Sequence, residues 1–225
     1  MSDLRLVIFD VDGTLSDSLG DILGSMTEAF EGEDLTVPAR ERIMAIIGLS
    51  LEEAMPHLAQ EVPASTHARL VEGYKAAYKR RRLAAGAGHS PLFPGMKELV
   101  ERLAAEPETL LAIATGKSRR GLVALLETHG LSRHFQSVQV ADDHPSKPHP
   151  SMVMTALAET GVAPERAVMI GDTSYDMDMA AAAGVAGIGV AWGNHPVSQL
   201  GRARVIVHTP EELARAIDTL IGASA

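Results

Sequence analysis

The chain has 225 residues, 46% hydrophobic and 22% charged, with a formal net charge of −9 and no cysteine. That length can bury a sizeable core, and that balance belongs to a folded globular protein and not to a disordered one. The acidic surplus and an aromatic content of 4% exclude a general nucleic-acid binder, which needs a basic footprint and stacking platforms, and the absence of cysteine excludes disulfides and thiol chemistry.

The first element is a strand, Leu4 to Phe9, that carries apolar residues on both faces. Such a pattern suits the centre of a parallel sheet covered on both sides. Polarity returns at Asp10-Val11-Asp12-Gly13. Side chains two apart on an extended chain point to one face, about 6.5 to 7 Å apart, so Asp10 and Asp12 look into one space. Gly13 permits a turn that a side chain would forbid.

From Ser16 to about Ser90 the periodicity is helical throughout. Ile22, Met26, Ala29 and Phe30 share one face; a second segment starts at Pro38; a third runs from Leu51 to Gln60 with Ser50 as cap; a long one runs from about Pro63 to Ala85. Gly86-Ala87-Gly88 breaks the last. Its basic run, Lys79 to Arg82, reads chiefly as a solvated face that offsets the helix dipole, with contact to a distal substrate anion as the functional reading.

Beyond Pro91 strands and helices alternate. Strands are expected at Leu110 to Ala114, Gln136 to Val140, Ala167 to Ile170, Ala186 to Ala191 and Val205 to Val207. Helices are expected after Gly95, around Leu122 to Leu126, from Pro150 to Thr160, from Thr173 or Ser174, and after a capping-box pattern at Thr209 and Glu212. Alternation of this kind gives a doubly wound α/β parallel sheet. The expected organisation is an α/β core of residues 1–15 and 91–225 with an all-helical insert of residues 16–90. The longest uncharged run, residues 179–193, is too short and too rich in Gly and Ala to span a bilayer, and no signal peptide is read. A cytoplasmic protein is expected.

Three later stretches carry chemistry, each at a strand end. Thr115-Gly116-Lys117-Ser118 combines a hydroxyl, a free Gly amide and a helix start, which make a phosphate cradle; a Walker A loop would need Gly at position 111, where Leu111 stands. Lys117 itself reads as a loop lysine. In Ser146-Lys147-Pro148-His149-Pro150 the prolines hold Lys147 in a fixed place; His144 and His149 lack companions at ligand spacing and read as loop residues. In Gly171-Asp172-Thr173-Ser174-Tyr175-Asp176 the two acids lie about one helical turn apart. With Asp10 they can gather hard oxygen ligands suited to Mg²⁺.

Taken together, Asp-Val-Asp-Gly-Thr-Leu, Thr115, Lys147 and Gly-Asp-x-x-x-Asp, in this order, resemble the four motifs of the haloacid dehalogenase superfamily, in its phosphatase branch with a helical type I cap. The resemblance implies that Asp10 is the nucleophile, Asp12 the general acid and base, and Thr115, Gly116 and Lys147 the phosphate ligands. It also implies a metal site drawn from Asp10, Asp12, Asp172 and Asp176. The insert would act as a cap, and Ile47, Gly48 and Leu49 would face the active site and bear on specificity. The implied activity is Mg²⁺-dependent hydrolysis of a small phosphorylated metabolite, phosphoglycolate-like, nucleotide or sugar phosphate, through an aspartyl phosphate, with no nucleic-acid or membrane partner. A phosphomutase and a phospho-accepting signalling domain remain alternatives. Thr-Gly-Lys at residues 115–117 departs from the Thr-Asn-Lys frequent in the phosphoglycolate phosphatase-like subgroup.

Overall fold

The computed structural model describes residues 4–222; residues 1–3 and 223–225, the outermost of the expected core, lie outside the described residues. Six parallel strands, β1 (Arg5–Phe9), β2 (Thr109–Thr115), β3 (Ser137–Val140), β4 (Ala167–Gly171), β5 (Ala186–Val190) and β6 (Val205–Val207), form one sheet in the order β3-β2-β1-β4-β5-β6. β1 is central, with Phe9 opposite Ile113 of β2 and Ile170 of β4.

The absence of a polar face on β1 has a direct cause. Val7 and Phe9 pack into one apolar layer, with residues of α5 (Met96–Ala104), α6 (Arg119–His129) and α9 (Pro210–Ile221). Leu6 and Ile8, alternating with them, pack into the opposite layer, with α7 (Ser151–Thr160) and α8 (Ser174–Ala182). A strand sandwiched in this way has no solvent side to mark with polar residues. Arg5 is the exception: its buried guanidinium bonds Thr109, Glu106 and Asp218 at 2.8, 2.6 and 2.9 Å.

Between β1 and α5 lie four helices, α1 (Leu19–Glu31), α2 (Arg40–Met44), α3 (Leu51–Leu58) and α4 (Ala64–Ala85). They close on their own apolar cluster, which includes Met26, Phe30, Ile43, Met55 and Leu70. The chain leaves and re-enters the α/β part side by side, because Ser16 bridges both Asp12 and Leu92. Strand ends shift by a residue from the sequence expectation, and within the insert two helix boundaries differ. α2 starts at Arg40, with Ala39 in the cap position and Pro38 ahead of it, and α3 stops at Leu58. At α9, Thr209 caps Glu212 N as expected, while the Glu212 carboxylate takes the N–H of His208, one residue earlier than a capping box requires.

In a sheet of this order ligands collect beyond the carboxyl ends of the strands, where the winding reverses between β1 and β4. Asp10 follows β1 and Asp172 follows β4, and the Asp10 N–H donates to Ile170 O at 2.9 Å, so the pairing runs one step past the strand.

Candidate active site

Three carboxylates meet at that reversal. Ligand oxygens of Asp10, Asp172 and Asp176 all lie within 4.8 Å of one another, and the three side chains are buried. Lys147 reaches them from the loop after β3, its ammonium donating to Asp10 Oδ1 at 2.6 Å and to Asp176 Oδ1 at 2.7 Å. This lysine is itself only 2% exposed. Burying a lone lysine is costly unless it is paired, and here two acids pair with it.

Each acid is aimed by local chemistry. Asp176 is the third residue of α8: its Oδ2 accepts the Thr173 N–H and hydroxyl at 3.0 and 2.7 Å while Thr173 Oγ1 takes the Asp176 N–H, a complete capping box. The sequence expectation gives Asp176 a ligand role alone; the Thr-x-x-Asp pattern of residues 173–176 carries the signal for its capping role as well. Asp172 accepts from Thr14 Oγ1 at 3.0 Å on one oxygen and from the Asn194 N–H and side-chain amide at 2.7 and 3.0 Å on the other. Asn194 also donates to the Asp12 carbonyl at 3.3 Å. Sequence reading assigned nothing to Asn194, although it lies just beyond β5, at the same edge of the sheet as every other motif. Close packing forces Gly13, whose φ is +93°: a Cβ there would stand 2.2 Å from Asp172 Oδ2.

Electrostatics follow from the crowding. Burial pushes the Asp10 carboxyl up from 3.8 to about 7, against the pull of Lys147 and with the Asp176 charge adding to the rise. Burial likewise holds Asp172 well above the usual carboxylate range, helped by the charges of Asp10 and Asp176. Burial opposes the charge on Lys147, but Asp10 and Asp176 outweigh it and raise its pKa. One polar atom is left over: Asp10 Oδ2 is buried without a hydrogen-bond partner. Three clustered carboxylates and an orphaned oxygen among them form a donor set that fits a hard divalent cation.

The Asp12 carboxylate stands outside this cluster. Lys117 holds both its oxygens, at 2.7 and 3.0 Å, and donates to the Tyr78 hydroxyl at 2.9 Å. The Lys117 side chain is 7% exposed and lies 4.7 Å from the centre of the Tyr78 ring. Thus Lys117 is no solvated loop lysine, and of the four acids expected around a metal, Asp12 is the one whose side chain faces elsewhere. Burial opposes the charge of Lys117, and Asp12 with Tyr78 and Tyr74 more than restores it.

Thr115 ends β2 and is 1% exposed; its hydroxyl accepts the Lys117 N–H at 3.2 Å. Asp10, Asp12, Thr115 and Gly116 line one cavity with Ile47, Gly48 and Leu49 of the helical insert. The insert is pressed onto the core at this loop. A Cβ on Gly116 would lie 2.6 Å from Gly48 O and 2.8 Å from Leu49 O, while the Ser50 N–H donates to Ser146 Oγ at 2.9 Å and the Tyr175 hydroxyl to Ala45 O at 3.0 Å. Of the basic run, Arg80 and Arg81 pair with Glu28, whereas Lys79 and Arg82 line the cavity. His144 bonds Ser151 and Gln139, and His149 bonds the Ser151 N–H; both are structural loop residues.

The sequence profile of the haloacid dehalogenase-like hydrolases matches residues 7–190. The chain is 40% identical over 223 residues to the "Probable phosphatase IndB" of Dickeya dadantii, covering 96% of this chain and 94% of that one. It is 34% identical to the "Tyrosine-protein kinase PtkA" of Mycobacterium tuberculosis over 84% of this chain and 62% of that protein. It is 31% identical to a "Phosphoglycolate phosphatase" of Chromobacterium violaceum, over 95% and 96% of the two chains. Among solved structures, a hydrolase from Pseudomonas syringae superposes with a TM-score of 0.84 at 27% identity, covering 96% of this chain and 99% of that one.

Proposed function

The chain belongs to the haloacid dehalogenase-like hydrolases, and from that membership and from relatives named as phosphatases we propose that it is a Mg²⁺-dependent phosphatase of small phosphate monoesters with Asp10 as nucleophile. The observation that carries the reading is the buried meeting of Asp10, Asp172 and Asp176, with the Lys147 ammonium bonded to Asp10 and Asp176.

A phosphate monoester is a dianion, and a carboxylate cannot approach it unless positive charge intervenes. Lys147 supplies one such charge at the nucleophile. Asp10, Asp172 and Asp176 would hold the cation, which when bound supplies further positive charge beside the phosphoryl group and keeps the carboxylates ionised. Thr115, at the end of β2, and the Gly116 amide after it bind phosphate oxygens. Asp10 attacks phosphorus, the ester P–O bond breaks, and the leaving alkoxide takes a proton from Asp12. Asp12 then takes a proton from water, which attacks the aspartyl phosphate; the bond from phosphorus to Asp10 breaks and inorganic phosphate leaves. Lys117 holds the Asp12 carboxylate in place for both steps.

In this reading the helical insert, residues 16–90, is a cap that excludes water from the phosphoenzyme. Lys79 and Arg120, exposed cavity-lining cations without ion-pair partners among the described residues, draw an anion to the mouth of a site whose chain is acidic overall. The test is phosphate release from a panel of monoesters and pyrophosphate with and without Mg²⁺. Mg²⁺-dependent release supports the reading; transfer of the phosphoryl group to a second hydroxyl with no phosphate released would move the chain to the mutases.

A further inference from the structure

Beyond Asp10 and Thr115 the cavity continues between the insert and the core. Its walls are unlike those a short acidic metabolite needs. Ile46, Leu49 and Leu51 give it an aliphatic wall over the buried Ile22, Met26 and Ile47. Tyr74 and Tyr78 also line it, their rings stacked with centroids 5.9 Å apart and planes 26° apart. Residues 46–49, the part of the insert that touches the phosphate cradle at Gly116, contain no charged side chain.

The cations nearby do not change this balance. Lys117 is consumed by Asp12 and the Tyr78 hydroxyl, and Lys75 pairs with Glu52 and Glu72. Lys79 and Arg120 are exposed, and Arg82 is half-buried beside them. A two-carbon acid esterified to phosphate could meet those exposed cations only in water, where pairing is worth little, and would leave the apolar side chains and the tyrosine rings without a partner.

Resting on the phosphatase reading above, we propose that the alcohol part of the substrate carries a hydrophobic ring seated between the aliphatic wall and the two tyrosines. The cavity then discriminates against two-carbon phosphate esters. Ring and hydrocarbon faces suit each other by dispersion and by release of water, and one methylene in a fitted apolar pocket already changes kcat/KM by about 10- to 200-fold.

The experiment compares kcat/KM for 2-phenylethyl phosphate, ethyl phosphate and phosphoglycolate, all with primary alkyl leaving groups, in the wild-type protein with Mg²⁺ and in Asp10→Asn as the blank. The expected result is a preference for the ring-bearing ester of about 100-fold over either small ester. A ratio below about tenfold against either one, with release still dependent on Asp10, overturns the ring and leaves the phosphatase standing. Absence of Asp10-dependent release from all three overturns the phosphatase reading and this inference with it. In the second arm, Leu49→Lys places an ammonium in the aliphatic wall. It is expected to lower kcat/KM for the ring ester relative to that for phosphoglycolate by about tenfold; an equal loss on all three esters contradicts the proposal.

Discussion

Lys147 Nζ lies 2.6 Å from Asp10 Oδ1, and both side chains are almost wholly removed from water. The pair spans 137 positions of sequence and ties the loop after β3 to the end of β1. Removing the cation leaves three buried carboxylates facing one another. Lys147→Met is therefore expected to lose about 3–5 kcal/mol of stability in EDTA at pH 8 and to recover part of it when Mg²⁺ is added. Turnover should fall about 100- to 1,000-fold. Urea denaturation of wild type and variant, each with and without Mg²⁺, reads the stability; an unchanged midpoint in EDTA would show that the pair is not what compensates the acids.

The same cluster sets a pH dependence. In the metal-free protein the folded-state pKa of Asp10 is raised, from 3.8 to about 7, by burial above all. Between those values the folded state holds a proton that the unfolded state has released, so the contribution of Asp10 to stability falls as pH rises from about 4 to about 7 and is level above that. Metal needs the ionised carboxylate, so its affinity runs the other way and increases with pH through the same window. Calorimetric titration of Mg²⁺ at pH 6 in buffers of different ionisation enthalpy should detect proton release that disappears by pH 8.5. Proton uptake on binding at pH 6 would reverse the sign and refute the assignment.

Gly116 is a point where the helical insert meets the loop after β2. Its Cβ position is filled by the backbone carbonyls of Gly48 and Leu49, which cannot swing aside as a side chain would. Gly116→Asn, the residue frequent in the resembling subgroup, should thus push the 45–50 loop off the core in this chain. A shift of that kind misplaces the substrate without unfolding either part, and kcat/KM is expected to fall about tenfold or more, with faster hydrogen exchange at residues 45–50. Wild-type kinetics in this variant would mean that the loop yields at no cost.

Asn194 joins the end of β4 to the first turn, through two bonds to Asp172 and one to the Asp12 carbonyl. Outer partners of this kind orient metal ligands, and losing one typically costs 10- to 100-fold in affinity. Asn194→Ala should weaken Mg²⁺ binding by about that factor. The reporter is at hand: Trp192, the sole tryptophan, donates to Thr14 O at 3.2 Å, and Thr14 bonds Asp172. Mg²⁺ titration followed by its fluorescence would show identical curves if Asn194 has no orienting part.

Much of this was legible in the chain because both β1 and the strand ends carry strong local signals. Val7 and Phe9 against Leu6 and Ile8 announce a strand covered twice; acids follow directly on β1 and β4, and a hydroxyl ends β2. The pairings that hold the site were not legible. Lys117 and Asp12 are 105 residues apart and meet only because β1 and β2 align Phe9 with Ile113; nothing adjacent to Lys117 distinguishes it from a loop lysine. Tyr78 sits among helical residues whose periodicity declares a packed face, not a hydroxyl aimed at another part of the fold. Asn194 reads as an ordinary turn residue, and its two bonds to Asp172 depend on β5 lying beside β4. Short helices such as α2 fared worst, since five residues carry too little periodicity to fix their ends.

The central claim is that Asp10 becomes phosphorylated. The most direct measurement is mass spectrometry of the protein quenched during turnover of an accepted monoester with Mg²⁺, alongside Asp10→Asn. Addition of one phosphoryl group to Asp10 in the wild type, with neither the adduct nor phosphate release in the variant, is the predicted result. Undiminished phosphate release from Asp10→Asn, or a phosphoryl group found on another residue, would contradict the account.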